Sequence, residues 1–184
     1  MILLFLSPRN TPISSTMSFS TIIPNIWFES NAEQAVQFYT TVFPSSSITH
    51  TYRYTSAGQA HHNKPVGSVM MLTFSLAGHP FAAINGGPEH FQVPNASPTF
   101  TIECEDQAEI DYYWEKLGQG GDEGARACGW LKDRWGVSWQ VVPRALEEWG
   151  RDGDKEKVRR VMEAMMGMVK LNISELERAF EGAA

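Results

Sequence analysis

The sequence predicts an α+β fold built from one βαβββ module used twice and followed by a helical tail, and three observations carry that prediction. Two segments of helical periodicity, "NAEQAVQFYTTVF" and "DQAEIDYYWEKL", each open on a good N-cap, Asn31 and Asp106, 75 positions apart. The same offset carries Ala35, Phe38, Tyr39 and Val42 onto Ile110, Tyr113, Trp114 and Leu117, so each helix has an i, i+3, i+4, i+7 apolar stripe with paired aromatics at its centre. A strand-like run precedes each helix, further strand-like runs with turn punctuation follow it, and past Pro143 the pattern turns helical.

Residues 1–20, "MILLFLSPRNTPISSTMSFS", read as a disordered tail. The apolar run Ile2–Leu6 is shorter than the roughly 7–15 residues of a signal-peptide core and cannot span a membrane. Residues 1–28 lack acidic residues and are rich in Ser and Thr, a lean toward a mitochondrial presequence that the lone Arg9 supports poorly. The expected location is cytoplasmic, with the mitochondrion as the alternative.

The domain is expected over 21–143. Its first module, 21–86, contains the strand in "STIIPNIWF", the first helix, and strands over Ser47–Tyr54, Ser68–Leu76 and His79–Asn85, the last two joined at Ala77–Gly78. Between the first two of these, "TSAGQAHHNKPVG" reads as a loop. "NGGPEHFQVPNASP" is the linker, and the second module, 96–143, has a strand in "ASPTFTIEC", the second helix, a break at "GQGGDEG", and strands over Ala125–Lys132 and Val137–Val142 paired across an Asp133–Gly136 turn. That is one strand fewer than in the first module; a short one near Gly121 would complete the set. The tail, 144–184, carries an apolar stripe of Val158, Val161, Met162, Met165 and Met168, read as packing against the body of the protein or as a partner groove. Ser174–Glu177 forms an S-x-x-E capping box before the last helix.

At 184 residues and 42% hydrophobic the chain can bury a real core. A formal charge of −6 and a pI near 5.4 argue against a nucleic-acid surface, which needs clustered Lys and Arg, and favour small neutral or mixed-polarity ligands. Cys104 and Cys128 stand in no C-x-x-C or C-x-x-H pattern, so neither a disulfide framework nor a cysteine metal site is indicated, and a reducing compartment is the default.

The chemistry centres on "KDRWGVSWQVV". Alternation places Val137, Trp139 and Val141 on one face of a strand and Ser138, Gln140 and Val142 on the other. Gln140 brings an amide into a segment otherwise built for burial, where an unpaired polar group costs about 1–3 kcal/mol. Either a ligand or water meets it, or neighbouring backbone and Thr hydroxyls do.

Three stretches, "IWFESNAEQAVQFYTTVFP", "CGWLKDRWGVSWQVVP" and "RRVMEAMMGMVKLNISELERAF", together resemble the PhnB-like branch of the vicinal oxygen chelate (glyoxalase/dioxygenase) superfamily, over about residues 22–182. Members often carry the label 3-demethylubiquinone-9 3-methyltransferase domain. The resemblance implies that the paired modules form a cupped mixed sheet of glyoxalase type, usually completed by homodimerisation. In metal-dependent members the ligands are His, Gln or Glu from the first and last strands of each module. Carried onto this chain, those positions are Pro24, Thr99, Ala82 and Gln140, of which Gln140 alone keeps ligand character, while an open divalent-metal site needs about three protein ligands. Metal-dependent chemistry is therefore not expected, and no cofactor is. With Phe100, Ile102 and Cys104 toward the helices, Thr99, Thr101 and Glu103 would line the cup beside Ser138 and Gln140, and Trp130 could wall it.

Other candidates read as structural. His61 and His62 sit in a polar loop, and sequence neighbours rarely converge on one ion; His79 and His90 fall at a turn and in the linker. Cys128 has Arg126 and Lys132 nearby but no histidine placed to activate it, so a structural thiol is preferred. Trp130 and Trp135 are expected to pack across their shared turn. The Gly-rich strand–turn–helix of a Rossmann-type methyltransferase is absent from the sequence. Three readings follow: a metal-free protein holding a small organic molecule in the cup, as binding protein or as acid–base enzyme through groups such as Glu103; a metal-dependent lyase or dioxygenase using Gln140, Glu103 and a loop histidine; or a ubiquinone-related or small-molecule methyltransferase, as the label suggests.

Overall fold

Two four-stranded mixed sheets with the same internal order make up the body of the molecule. The computed structural model describes residues 22–57, 59–88 and 99–182, so the N-terminal tail and most of the linker lie outside the described residues. In the first module the elements are β1 (Asn25–Phe28), α1 (Ala32–Val42), β2 (Ser47–Arg53), the one-turn helix α2 (Gln59–His62), β3 (Val69–Leu76) and β4 (His79–Asn85). The second has β5 (Thr99–Cys104), α3 (Gln107–Gly118), β6 (Asp122–Ala127), β7 (Trp130–Lys132) and β8 (Ser138–Pro143). Strand orders are β1-β4-β3-β2 and β5-β8-β7-β6. In each sheet the first strand pairs in parallel with the last and the other pairings are antiparallel, so the βαβββ repeat holds at the level of topology.

Each helix covers one face of its own sheet with the stripe that the periodicity marks. Ala35, Tyr39 and Val42 of α1 and Ile110, Trp114 and Leu117 of α3 are buried, with Phe38 and Tyr113 at the margin. The inner faces of the strands meet them: Ile26 and Phe28, Leu72 and Phe74, then Trp139 and Val141. The two halves share a single core. Phe43 stacks on Tyr113 at 5.2 Å and reaches Trp139 at 5.4 Å, and Phe81 of β4 meets Phe100 of β5 edge-on at 5.5 Å.

The strand missing from the second module is β6. The run Ala125–Lys132 is not one strand, because Cys128 (φ 51°) and Gly129 (φ 80°) turn the chain back and split it into β6 and β7. A left-handed pair is the signature of a two-residue hairpin, and with Cys at its first position it carries none of the usual Asn-Gly or Gly-Gly signal. Ala77–Gly78, both at positive φ, make the expected turn between β3 and β4. The "TSAGQAHHNKPVG" loop also contains α2, a helical turn the sequence reading lacked.

Three helices form the tail: α4 (Ala145–Gly150), α5 (Lys155–Met166) and α6 (Ile173–Glu181). Val161, Leu171 and Leu176 build a second small core on Val142, with Met165 and Met168 packed at its edge. Met162 departs from the expected stripe and is 37% exposed. The last helix is capped two residues earlier than expected, by Asn172, whose side chain accepts from the backbone N–H of Glu175. Backbone bonds from Cys128 and Gly129 to the carbonyls of Met168 and Val169 tie the tail to the β6–β7 turn. No helix among the described residues is long and apolar enough to cross a membrane.

Candidate functional site

Register brings all six residues singled out in the sequence onto one face. Thr99 pairs with Ser138, Thr101 with Gln140 and Glu103 with Val142, while Trp130 of β7 pairs with Gln140 from the other side. Directly paired residues project to the same side of a sheet. Thr99, Thr101, Glu103, Ser138, Gln140 and Trp130 therefore share the face turned away from α3. Thr99, Thr101 and Glu103 are exposed, and the other three are half-buried. Lys132, paired with Ser138, joins them, as the alternation in "WLK" dictates.

Gln140 is only loosely met. Thr101 Oγ1 donates to its Oε1 at 3.4 Å, long for an O–H···O bond. The amide borders a hollow of about 190 Å³ lined by Glu103 and Val142 and walled by Leu146 and Glu147 of α4. The tail thus covers the Val142 end of the face and walls one side of the hollow at Gln140. Trp130 and Trp135 do not pack across their turn: Trp130 stands on this open face, whereas Trp135 lies against Phe38 and Tyr39 of α1.

The first module presents a different surface. Ile26 and Phe28 are buried under α1, so Asn25 and Trp27 project outward, and Asn25 pairs with Ala82. Ala82 is accordingly the counterpart of Gln140, as the sequence placed it. The counterpart of Thr99 moves by one residue, from Pro24 to Ile23. Two residues separate Phe28 from its helix cap Asn31, whereas one separates Cys104 from Asp106, so the offset is 76 in the strands and 75 in the helices. Ile23, like Pro24 and Ala82, has no donor atom. Among the described residues no three of His, Cys, Asp or Glu gather where a metal ion could be held, so the donor set does not fit the ion that metal-dependent relatives of this fold use.

Of the remaining candidates, His62, Cys128 and Cys104 are held by local contacts. His62 accepts from the backbone N–H of Lys64 through Nδ1 at 3.0 Å, and its ring lies on Tyr54. His79 is exposed in β4, and His90 lies outside the described residues. Cys128 contacts the carbonyl and sulfur of Met166. Cys104 is fully buried, and burial together with the nearby Glu109 and Asp106 carboxylates pushes its thiol pKa up to about 12.

Two buried polar side chains outside the predicted site, Asp133 and Asn85, hold this arrangement together. Asp133, 3% exposed, accepts four bonds: Oδ1 from the backbone N–H of Trp135 (2.9 Å) and Val137 (3.0 Å), Oδ2 from the Tyr39 hydroxyl (2.7 Å) and the Trp139 indole (2.9 Å). It shapes the turn that aims β8 and fastens that turn to α1 of the other module. Burial, with the Asp133 carboxylate adding to it, holds the Tyr39 hydroxyl far above the usual phenol range, so it stays a donor. Asn85 at the end of β4 donates to Val69 O and accepts from the N–H of Ala32, capping α1 where Asn31's own side chain does not.

This topology and this face meet a family match: the 3-demethylubiquinone-9 3-methyltransferase family covers residues 20–142. The chain belongs to that PhnB-like family. A PhnB protein of Bacillus cereus, described as a putative 3-demethylubiquinone-9 3-methyltransferase, is 34% identical, with a TM-score of 0.53 over 67% of this chain and 99% of its own. A protein of Pseudomonas aeruginosa shares the fold at 17% identity, TM-score 0.50, over 68% and 98%. The fosfomycin resistance protein FosX of Listeria monocytogenes is 14% identical, TM-score 0.44, over 70% and 94%. No curated protein matches. The PhnB-like match ends at residue 142, so the α4 wall beside Gln140 comes from outside it.

Proposed function

We propose that this PhnB-like chain holds a small organic molecule on the outer face of its second sheet, around Gln140, without a metal. The observation that carries the reading is the juxtaposition itself. Thr99, Thr101, Glu103, Ser138 and Gln140 converge on one face of the sheet, with Trp130 beside them and an amide whose one side-chain bond among the described residues is long. Hydroxyls, an amide and one carboxylate beside an indole suit a ligand of mixed polarity. Glu103, bordering the hollow at Gln140, is the group placed for acid–base work if the bound molecule is turned over. Closure of this face by a second copy of the chain is part of the proposal, because a shallow single sheet leaves most of a ligand in water.

Neither strand-to-helix junction, Glu29–Asn31 nor Glu105–Asp106, contains glycine, so neither offers the close backbone approach that a Rossmann-type methyl-donor site needs. The family's methyltransferase label is therefore not carried over to this chain. The test is a fragment-soaked crystal of the full chain, paired with equilibrium binding of whatever fragment is found. Density against Gln140 and Trp130, with affinity lost in Gln140→Leu and no effect of chelator, supports the reading. A stoichiometric divalent metal, lost together with binding in Gln140→Leu, would replace it with the metal-dependent alternative.

A further inference from the structure

A larger hollow, about 620 Å³, opens between the two modules. Both the outer-face residues Thr101 and Glu103 and the inner-face residues Phe100 and Ile102 line it. Alternate residues of a strand face opposite sides, so a hollow touching both sets lies off the strand's edge. Among the described residues β5 pairs only with β8, which leaves its other edge without a strand partner there. The floor is aromatic: Phe81 and Phe100 meet edge-on, Phe100 leans on Trp139, and Phe43 joins Trp139 to Tyr113. Trp139 and Phe43 are buried, whereas Phe81, Phe100 and Tyr113 are partly open to the hollow.

The rim is acidic. Glu103, Glu105 and Glu109 line it with one guanidinium, Arg144, and Arg144 is ion-paired with Glu105. Glu109 accepts the backbone N–H of Glu105 and has no ion-pair partner among the described residues. Two carboxylates lining the same hollow as these rings form a site complementary to positive charge on a flat molecule, since ring faces and carboxylates both attract cations. The volume falls in the range of about 300–1,000 Å³ typical of small-molecule sites.

We propose that this inter-module cleft is a second binding site, adjoining the Gln140 face along Thr101 and Glu103 but centred on the aromatic floor, and that it takes a small aromatic cation with its ring on Phe81 and Phe100 and its charge toward Glu103 and Glu109. The full chain is titrated with benzyltrimethylammonium, benzoate and tetramethylammonium, read by calorimetry and by intrinsic tryptophan fluorescence. Benzyltrimethylammonium binds saturably, at least tenfold more tightly than either of the others, and added salt weakens it. Phe81→Leu and Glu109→Gln each reduce its affinity severalfold; the second keeps a group that can accept the Glu105 N–H, so its effect reports charge rather than folding. Equal binding of benzoate, no saturable binding, or indifference to both substitutions overturns the proposal. Loss of the probe in Gln140→Leu with Phe81→Leu unaffected also overturns it, by placing the probe on the Gln140 face, while leaving the preceding functional reading intact.

Discussion

Asp133 is a buried carboxylate satisfied by four donors and, among the described residues, by no cation. Hydrogen bonds to a charged group are worth about 1.5–3 kcal/mol each, and donors stranded in a core cost more to leave than to make. Asp133→Ala is expected to destabilise the chain by about 3–5 kcal/mol, and Tyr39→Phe by about 2 kcal/mol, in urea unfolding. Tyr39 also gives a pH signature. Its phenol pKa is raised in the folded state, so the native protein keeps a proton that the unfolded chain sheds near pH 10. That stabilisation is complete below about pH 10 and is lost as the pH rises beyond it. Wild-type stability should fall more steeply than that of Tyr39→Phe above this point, and matching slopes would show the hydroxyl is not held as described. The two thiols should separate as well. Cys104, buried and with its pKa pushed up to about 12, stays unmodified by a thiol reagent at pH 8 in the native chain, while the partly exposed Cys128 reacts.

At the scale of elements, the tail is the least familiar part of the chain and the one most open to a direct stability test. Leu176 and Val161 are fully buried against Val142. Leu176→Ala should cost about 2–4 kcal/mol if the tail and the β-sheet domain unfold as one unit. A tail that melts on its own would instead give two transitions, and the hydrogen bonds from Cys128 and Gly129 to Met168 and Val169 argue against that outcome. These same elements show what could be read in advance. Helix stripes and strand alternation were legible because each repeats a local period that burial enforces. The β6–β7 turn was not, since Cys128 adopts a left-handed conformation that its side chain does not advertise. Nor was the capping of α1, which comes from Asn85, 53 residues further along the chain. Asp133 was visible as a turn residue, but its bonds to Tyr39 and Trp139 depend on a tertiary contact between modules that no spacing encodes.

Across the whole molecule, two similar modules have been given dissimilar outer faces. The second keeps Thr101, Glu103 and Gln140 where the first has Asn25, Trp27 and Ala82, and the shared core behind them fixes one module against the other. The predicted site residues came together because parity alone decides which side of a strand each occupies. Pro24 was misplaced because one extra residue before α1 changes that parity. The central claim is that the open face around Gln140 is where a ligand binds, and a nitrogen–proton correlation spectrum of the full chain tests it most directly. On addition of the fragment identified by soaking, the Gln140 side-chain amide and the Trp130 indole resonances should shift in a saturable, chelator-insensitive way, with the Trp135 indole much less affected. Saturable binding that leaves the Gln140 and Trp130 signals unmoved would contradict the account.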